Sequence, residues 1–301
     1  MVLCNITEYC SDAVLAIEVS LGCIGTVGNI LVVCTIVSAN FLHNYTNYFI
    51  AHLSIADALV CISMQIFQFR YLSPALVNSA TCLLFFARTP FFAFLNVSAF
   101  STLCLHVERY IAIVRPLQYP RYVTLAKAKC LLAVIWIFSI LTSTFETTSS
   151  LTYDESLNVC ATTDPDAIWK AAYLTLKGVT ITGQLVGIIV PYVRIMANLK
   201  KSTRRQDNLN IDELFEARRR VAKVLLLISL AYYLTWIPVT IAYVLLTFGV
   251  IVNPIVYDAT DIILLMNSVI NPFIYAFKYK EFRKGLSKMC HLESSRVYPV
   301  E

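Results

Sequence analysis

The stretch NSVINPFIYAF, residues 267–277, lies in a segment otherwise apolar enough for lipid, yet two asparagines, a serine and a proline interrupt it. In hydrocarbon every backbone N–H and C=O must find its partner within the protein. Pro272 frees a carbonyl one turn back and kinks the rod. Asn267 and Asn271, four residues apart, share one helix face. The stretch therefore reads as the bent, polar part of a membrane helix whose partners stand on other helices.

Composition supplies those helices. The 301 residues are 58% hydrophobic and 14% charged, with mean hydropathy +0.67, whereas an ordinary soluble domain carries about a quarter charged residues. A crossing helix needs ~20 mostly apolar residues. Seven such stretches fall at 14–38, 48–71, 83–114, 130–148, 171–196, 221–248 and 255–277, which predicts an all-α membrane protein with a seven-helix bundle. With seven spans the two termini lie on opposite sides.

Charge gives the orientation. One set of joints and helix ends holds only Arg70, Arg88, Lys170 and Lys177 against ten acids, a net of −6. The other holds twenty basic residues against eight acids, a net of +12, with Asp57 left inside the membrane. The basic side is expected to be cytoplasmic and the amino terminus outside, as in a multi-pass protein of the plasma membrane. Residues 1–13 then form an extracellular amino terminus, 14–277 the bundle, 278–290 a short amphipathic eighth helix and 291–301 a cytoplasmic tail. MVLCNITEYCSD shows no positive leader and no apolar core, so the first span is expected to act as its own insertion signal.

Asn5-Ile6-Thr7 is a glycosylation acceptor on the outer side, while the matching triplets at Asn44 and Asn96 lie beyond the modifying enzyme's reach. Cys82 and Cys160 both face the oxidising side, where a disulfide is permitted, and Cys4 and Cys10 are a second possible pair. Cys290 follows a basic amphipathic stretch beside the membrane and is a palmitoylation candidate. No metal spacing, nucleotide loop or nucleophile–base pair is recognisable, so neither an enzyme nor a nucleic-acid partner is expected.

Charged groups at membrane depth mark function by default. Asp57, in LSIADALV, lies midway along the second span with no lysine or arginine within a turn on its own helix. Compensation has to come from elsewhere, and Asn29, Ser98, Asn267, Ser268 and Asn271 all stand near mid-membrane.

These motifs together resemble the rhodopsin-like (class A) G-protein-coupled receptors over essentially the whole chain, most nearly the peptide-receptor group. GNILVV resembles the first-helix signature, LSIADALV the second, and ERYIAIVRPLQYP the third-helix Glu/Asp-Arg-Tyr motif with its loop. Trp136 resembles the fourth-helix tryptophan, TWIP the sixth-helix Cys-Trp-x-Pro, NPFIY the seventh-helix Asn-Pro-x-x-Tyr, and KYKEFRKGL the eighth helix on the inner membrane surface.

The resemblance implies a cell-surface receptor that binds an extracellular ligand and activates heterotrimeric G proteins. It implies that Arg109, between Glu108 and Tyr110, is held at rest and released when the sixth helix swings out, a role suited to a forked donor that can exchange partners. Tyr192 and Tyr275 resemble the two tyrosines that meet through water near Arg109 in active receptors, and Pro238 and Pro272 the kinks of helices six and seven. It implies a sodium ion held by Asp57, Ser98, Asn267, Ser268 and Asn271, and a Cys82–Cys160 disulfide.

By the same counting the ligand pocket holds Phe67, Tyr71, Arg88, Phe91, Phe92, Trp236, Tyr243, Tyr257 and Asp261. An aromatic lining with one acid suits aromatic and basic side chains, so a short neuropeptide with a basic residue facing Asp261 is expected, Arg88 either pairing with that acid or receiving an acidic group. The alternatives are a small non-peptide or lipid ligand, or a seven-helix transporter or channel. An opsin would need a lysine where Leu265 stands, and a monoamine receptor an acid where Phe91 stands.

The sequence also departs from the family. Pro90 falls inside the expected third span, Gln184 replaces the usual fifth-helix proline, Pro191 adjoins Tyr192, and Tyr232 and Ala99 replace the more usual Phe and Ile. Arg218 stands where many relatives carry a sixth-helix acid. Restraint of the resting state is therefore expected to be weak.

Overall fold

The computed structural model describes residues 12–68, 88–148, 151–154, 159–162, 167–203, 209–247, 250 and 254–290. Asn5, Tyr71 and Cys82 lie outside the described residues, as do the side chains of Phe67, Cys160, Tyr243 and Tyr257. Among the described residues seven helices are long and apolar enough to cross a membrane. They are α1 (Asp12–Ser38), α2 (Tyr45–Gln68), α3 (Thr89–Val114), α4 (Leu125–Thr148), α5 (Ala167–Thr203), α6 (Leu209–Thr247) and α7 (Pro254–Lys278). After α7 the amphipathic α8 (Lys280–Met289) turns off.

The bundle itself is all-α, and the described strands stand in a joint outside it. Between α4 and α5 two short strands, β1 (Leu151–Asp154) and β2 (Val159–Thr162), pair antiparallel, with Tyr153 opposite Cys160. A joint rich in Thr and Ser forms a ladder there because its backbone can pair with itself.

The third span needs correction. It was expected from residue 83 with Pro90 inside it, but the helix begins at Thr89, after Arg88 in left-handed backbone (φ 54°). Pro90 stands in the first turn, where its missing N–H was unpaired anyway, so it breaks nothing. By contrast α5, α6 and α7 carry Pro191, Pro238 and Pro272 in their interiors, at the cost of one ladder bond each.

α3 runs through the centre, packed on α2, α4 and α5, while α1 packs on α2, α7 and α8. Two main apolar clusters fill the interior. One joins Val32, Ile50, Leu105, Ile195, Leu225, Tyr275 and Phe282. The other joins Met64, Phe91, Leu95, Tyr232, Trp236 and Leu264. α8 docks on α1 through Phe282 and Gly285. A Cβ at Gly285 would stand 2.8 Å from Leu42 Cδ1 and 3.1 Å from Thr35 Cγ2, so any other residue there requires those side chains to shift.

Candidate functional site

Asp57 is fully buried on α2, where its periodicity points it into the bundle. Ser98 Oγ on α3 donates to Oδ1 at 2.6 Å, and Asn271 Nδ2 on α7 donates to Oδ2 at 2.8 Å. The Ser268 hydroxyl stands close to the same carboxylate but outside well-formed hydrogen-bond geometry. Asn29 Nδ2 donates to the backbone carbonyls of Gly25 and Ser268, which ties α1 to the kinked part of α7. The proline of NPFIY thus lies among polar groups from α1, α2 and α3.

Asn267 is turned elsewhere. Its Oδ1 accepts from Thr235 Oγ1 on α6 at 3.2 Å, so it links helices six and seven. Asp57, Ser98, Ser268 and Asn271 form the nearer set. Carboxylate, hydroxyl and amide oxygens are hard donors that suit a sodium ion, and a buried carboxylate answered only by neutral donors is the arrangement a cation would complete.

At the inner end of α3, Glu108 accepts from Arg109 Nε at 2.6 Å and from Arg109 Nη2 at 2.7 Å, a bidentate pair. Tyr119 Oη, in the turn after α3, donates to Glu108 Oε1 at 2.6 Å, and Thr46 Oγ1 on α2 donates to the same carboxylate at 3.1 Å. Burial, reinforced by the Glu108 carboxylate, pushes the Tyr119 phenol well above its usual range, so it remains a proton donor. Arg109 also lines a crevice with Thr46, Leu105, Leu225, Ile228 and Tyr279. In the turn that follows α3, Leu117 is 97% exposed. Tyr110 packs against the inner cluster and Tyr192 is half-buried on α5, while the Tyr275 hydroxyl is buried without a partner.

In the second cluster, Phe91 is 1% exposed and meets Phe92 edge to face, ring centroids 5.4 Å apart. Trp236 stacks on Tyr232 at 5.6 Å, and the Tyr232 hydroxyl donates to Gln184 Oε1 on α5. Gln184 in place of the usual proline and Tyr232 in place of Phe therefore answer one another. Arg88 forms an ion pair with Asp261.

Sequence reasoning missed several partners. Lys177 on α5 pairs with Glu146 on α4; a lysine ten residues into an apolar span was the available signal. These charges were weighed only for topology, and Asp57 is thus not the lone charge among the spans. Thr46 and Tyr119, inside the Asn44 triplet and ERYIAIVRPLQYP, gave no sign of their bonds to Glu108. Nor did His106, whose Nε2 lies 2.7 Å from Ser229 Oγ on α6.

Residues 28–275 match the family described as 7 transmembrane receptor (rhodopsin family). The chain is similar to trace amine-associated receptor 7d of Mus musculus, 28% identical over 281 residues, covering 86% of this chain and 76% of the relative. It is similar to G-protein coupled receptor 52 of Mus musculus, 28% identical over 282 residues, with 87% and 76% covered. A third relative, trace amine-associated receptor 9 of Rattus norvegicus, is 28% identical over 297 residues, with 90% and 86% covered. These names do not single out the peptide-receptor group.

Proposed function

The chain belongs to the rhodopsin family of seven-transmembrane receptors, and from that premise we propose that it sits in the plasma membrane with its amino terminus outside, takes an extracellular ligand and activates heterotrimeric G proteins. The observation that carries the proposal is the Glu108–Arg109 pair at the edge of the inner crevice. A guanidinium held by one carboxylate can change partners without losing its charge, and Leu117, in the turn that follows α3, offers an exposed apolar side chain for a docking protein. The test is nucleotide exchange on a panel of G proteins in cells expressing the chain, challenged with fractionated peptide and small-molecule pools. Arg109→Ala should silence any response while leaving the receptor at the surface.

For the ligand, a neuropeptide remains our first reading, supported by the acidic outer face and the aromatic second cluster. Its basic residue would have to take Arg88's place on Asp261. The small non-peptide alternative is favoured by the Arg88–Asp261 pair itself, since the acid is already neutralised within the chain. The trace amine receptors among the relatives point the same way, although Phe91 offers no carboxylate to an amine. Asp261→Asn separates the two readings: a basic peptide should lose at least tenfold in potency, and a ligand that leaves the pair intact should not.

We further read the polar cluster around Asp57 as a sodium site in the resting receptor. Asp57, Ser98 and Ser268 would supply oxygens and Asn271 would steady the carboxylate. The ion supplies one positive charge inside the bundle. Cys82 and Cys160 are read as a disulfide anchoring the β1–β2 hairpin, and peptide mapping without reductant checks it. Asn5 is read as glycosylated, Cys290 as palmitoylated, and α8 as lying against the inner leaflet.

A further inference from the structure

α3 and α6 are two walls of the inner crevice. Leu105 and Arg109 stand on one, Leu225 and Ile228 on the other, and the two leucines and Ile228 are buried in the inner cluster. A helix of a partner protein is ~10 Å across, so reaching Arg109 requires α6 to move away from α3. The two helices touch each other little; α6 packs far more extensively on α7. Besides the apolar contact of Leu105 with the inner cluster, a polar contact joins them at this depth. His106 Nδ1 lies 2.8 Å from the Thr102 carbonyl on its own helix. A carbonyl only accepts, so Nδ1 carries the hydrogen and Nε2 is left as an acceptor. Ser229 Oγ, 2.7 Å from Nε2, donates to it. The Leu225 carbonyl, 2.8 Å from the same hydroxyl, is the proton's alternative acceptor and belongs to a residue of the crevice wall.

We propose that the His106–Ser229 hydrogen bond is the latch that holds α6 against α3 at rest and keeps the crevice closed. The inference rests on the receptor reading above, and it replaces the expectation of weak restraint drawn from Arg218. The site is fully enclosed, both residues being 5% exposed or less. His106 is oriented by its own helix, so the acceptor is preformed on the α3 side, and outward movement of α6 breaks the bond. Outward displacement leaves the imidazole nitrogen unpaired in an apolar surround, which penalises the open form.

The test uses the full-length chain in cells, with basal G-protein activation normalised to surface expression. Interhelical hydrogen bonds in membranes are worth ~0.6–1.7 kcal/mol, so Ser229→Ala should raise basal activation roughly 3- to 18-fold. Ser229→Thr, which keeps the hydroxyl, should stay near the parent chain, and Ser229→Cys, a poorer donor, should fall between. His106→Leu combined with Ser229→Ala should add little to the larger single effect. The graded series remains readable where one variant fails to reach the surface. Ala and Cys variants at or below the parent level overturn the latch.

A second readout needs no G protein. Val224→Cys, in the crevice wall, should react faster with a charged thiol reagent applied to the cytoplasmic side when Ser229→Ala is added, measured against the same chains without the new cysteine. Unchanged labelling also overturns the latch. Faster labelling with no G protein responding upholds the latch and overturns the function proposed for the chain.

Discussion

Asp57 and Glu108 are both buried carboxylates, and they are solved in opposite ways. Glu108, near the C-terminal end of α3, has a guanidinium, a phenol and a threonine hydroxyl, so its charge is met within the chain. Asp57, at mid-membrane, has a serine hydroxyl and an asparagine amide, which solvate its charge without neutralising it. The difference teaches where each is responsive. Glu108 is open to whatever competes for Arg109, whereas Asp57 keeps an unneutralised charge among neutral donors, and the proposed sodium site rests on that.

The largest expected effect falls on the self-contained pair. Glu108→Gln removes a charged bidentate partner, a loss of about 2–3 kcal/mol in restraint, and basal G-protein activation should rise more than tenfold. An unchanged basal level would show that Arg109 is held by something else. Next comes the incomplete site. Sodium at tenfold over its dissociation constant stabilises by about 1.4 kcal/mol, so the purified receptor should melt higher in sodium chloride than in an organic-cation chloride. Asp57→Asn should abolish that difference, and a sodium response that survives it removes the contrast between the two carboxylates. The smallest effect sharpens the first: Tyr119→Phe deletes one donor of about 1 kcal/mol and should raise basal activation about fivefold, leaving the sodium shift intact.

Much of this could be read before the coordinates. Asp57 was visible because a charge midway along an apolar span marks function by default, Arg109 because ERY resembles the family's third-helix motif, and the seven spans because length and hydropathy report directly on the bilayer. What stayed hidden were choices between helices. In α1 and α4 the lipid-facing and protein-facing sides are both apolar, as exposed Val27, Ile137 and Leu141 show, so periodicity does not announce which side is inside. Asn267 was assigned to Asp57 by its spacing to Asn271, but a side chain near the edge of a shared face can turn to the neighbouring helix, and Thr235 was there to receive it. Arg88's left-handed residue moved the start of α3, a backbone event with no hydropathy signature. The His106–Ser229 and Lys177–Glu146 pairs join residues 123 and 31 positions apart, and a single sequence gives no measure of such couplings.

The seat of α8 on α1 has a consequence in time. Gly285 closes against Thr35, Ala39 and Leu42, so a helix made after all seven spans completes a surface offered at the end of α1. Until that moment the inner end of α1 lacks one of its neighbours, and closure has to wait for the whole bundle to be threaded. Long-range closure of this kind is slow and leaves the incomplete form exposed to misassembly. A chain cut before Lys280 would therefore be handed to quality control with every span in place, and a bulky residue at Gly285 would resemble such a truncation more closely than it would resemble a defect in the signalling machinery.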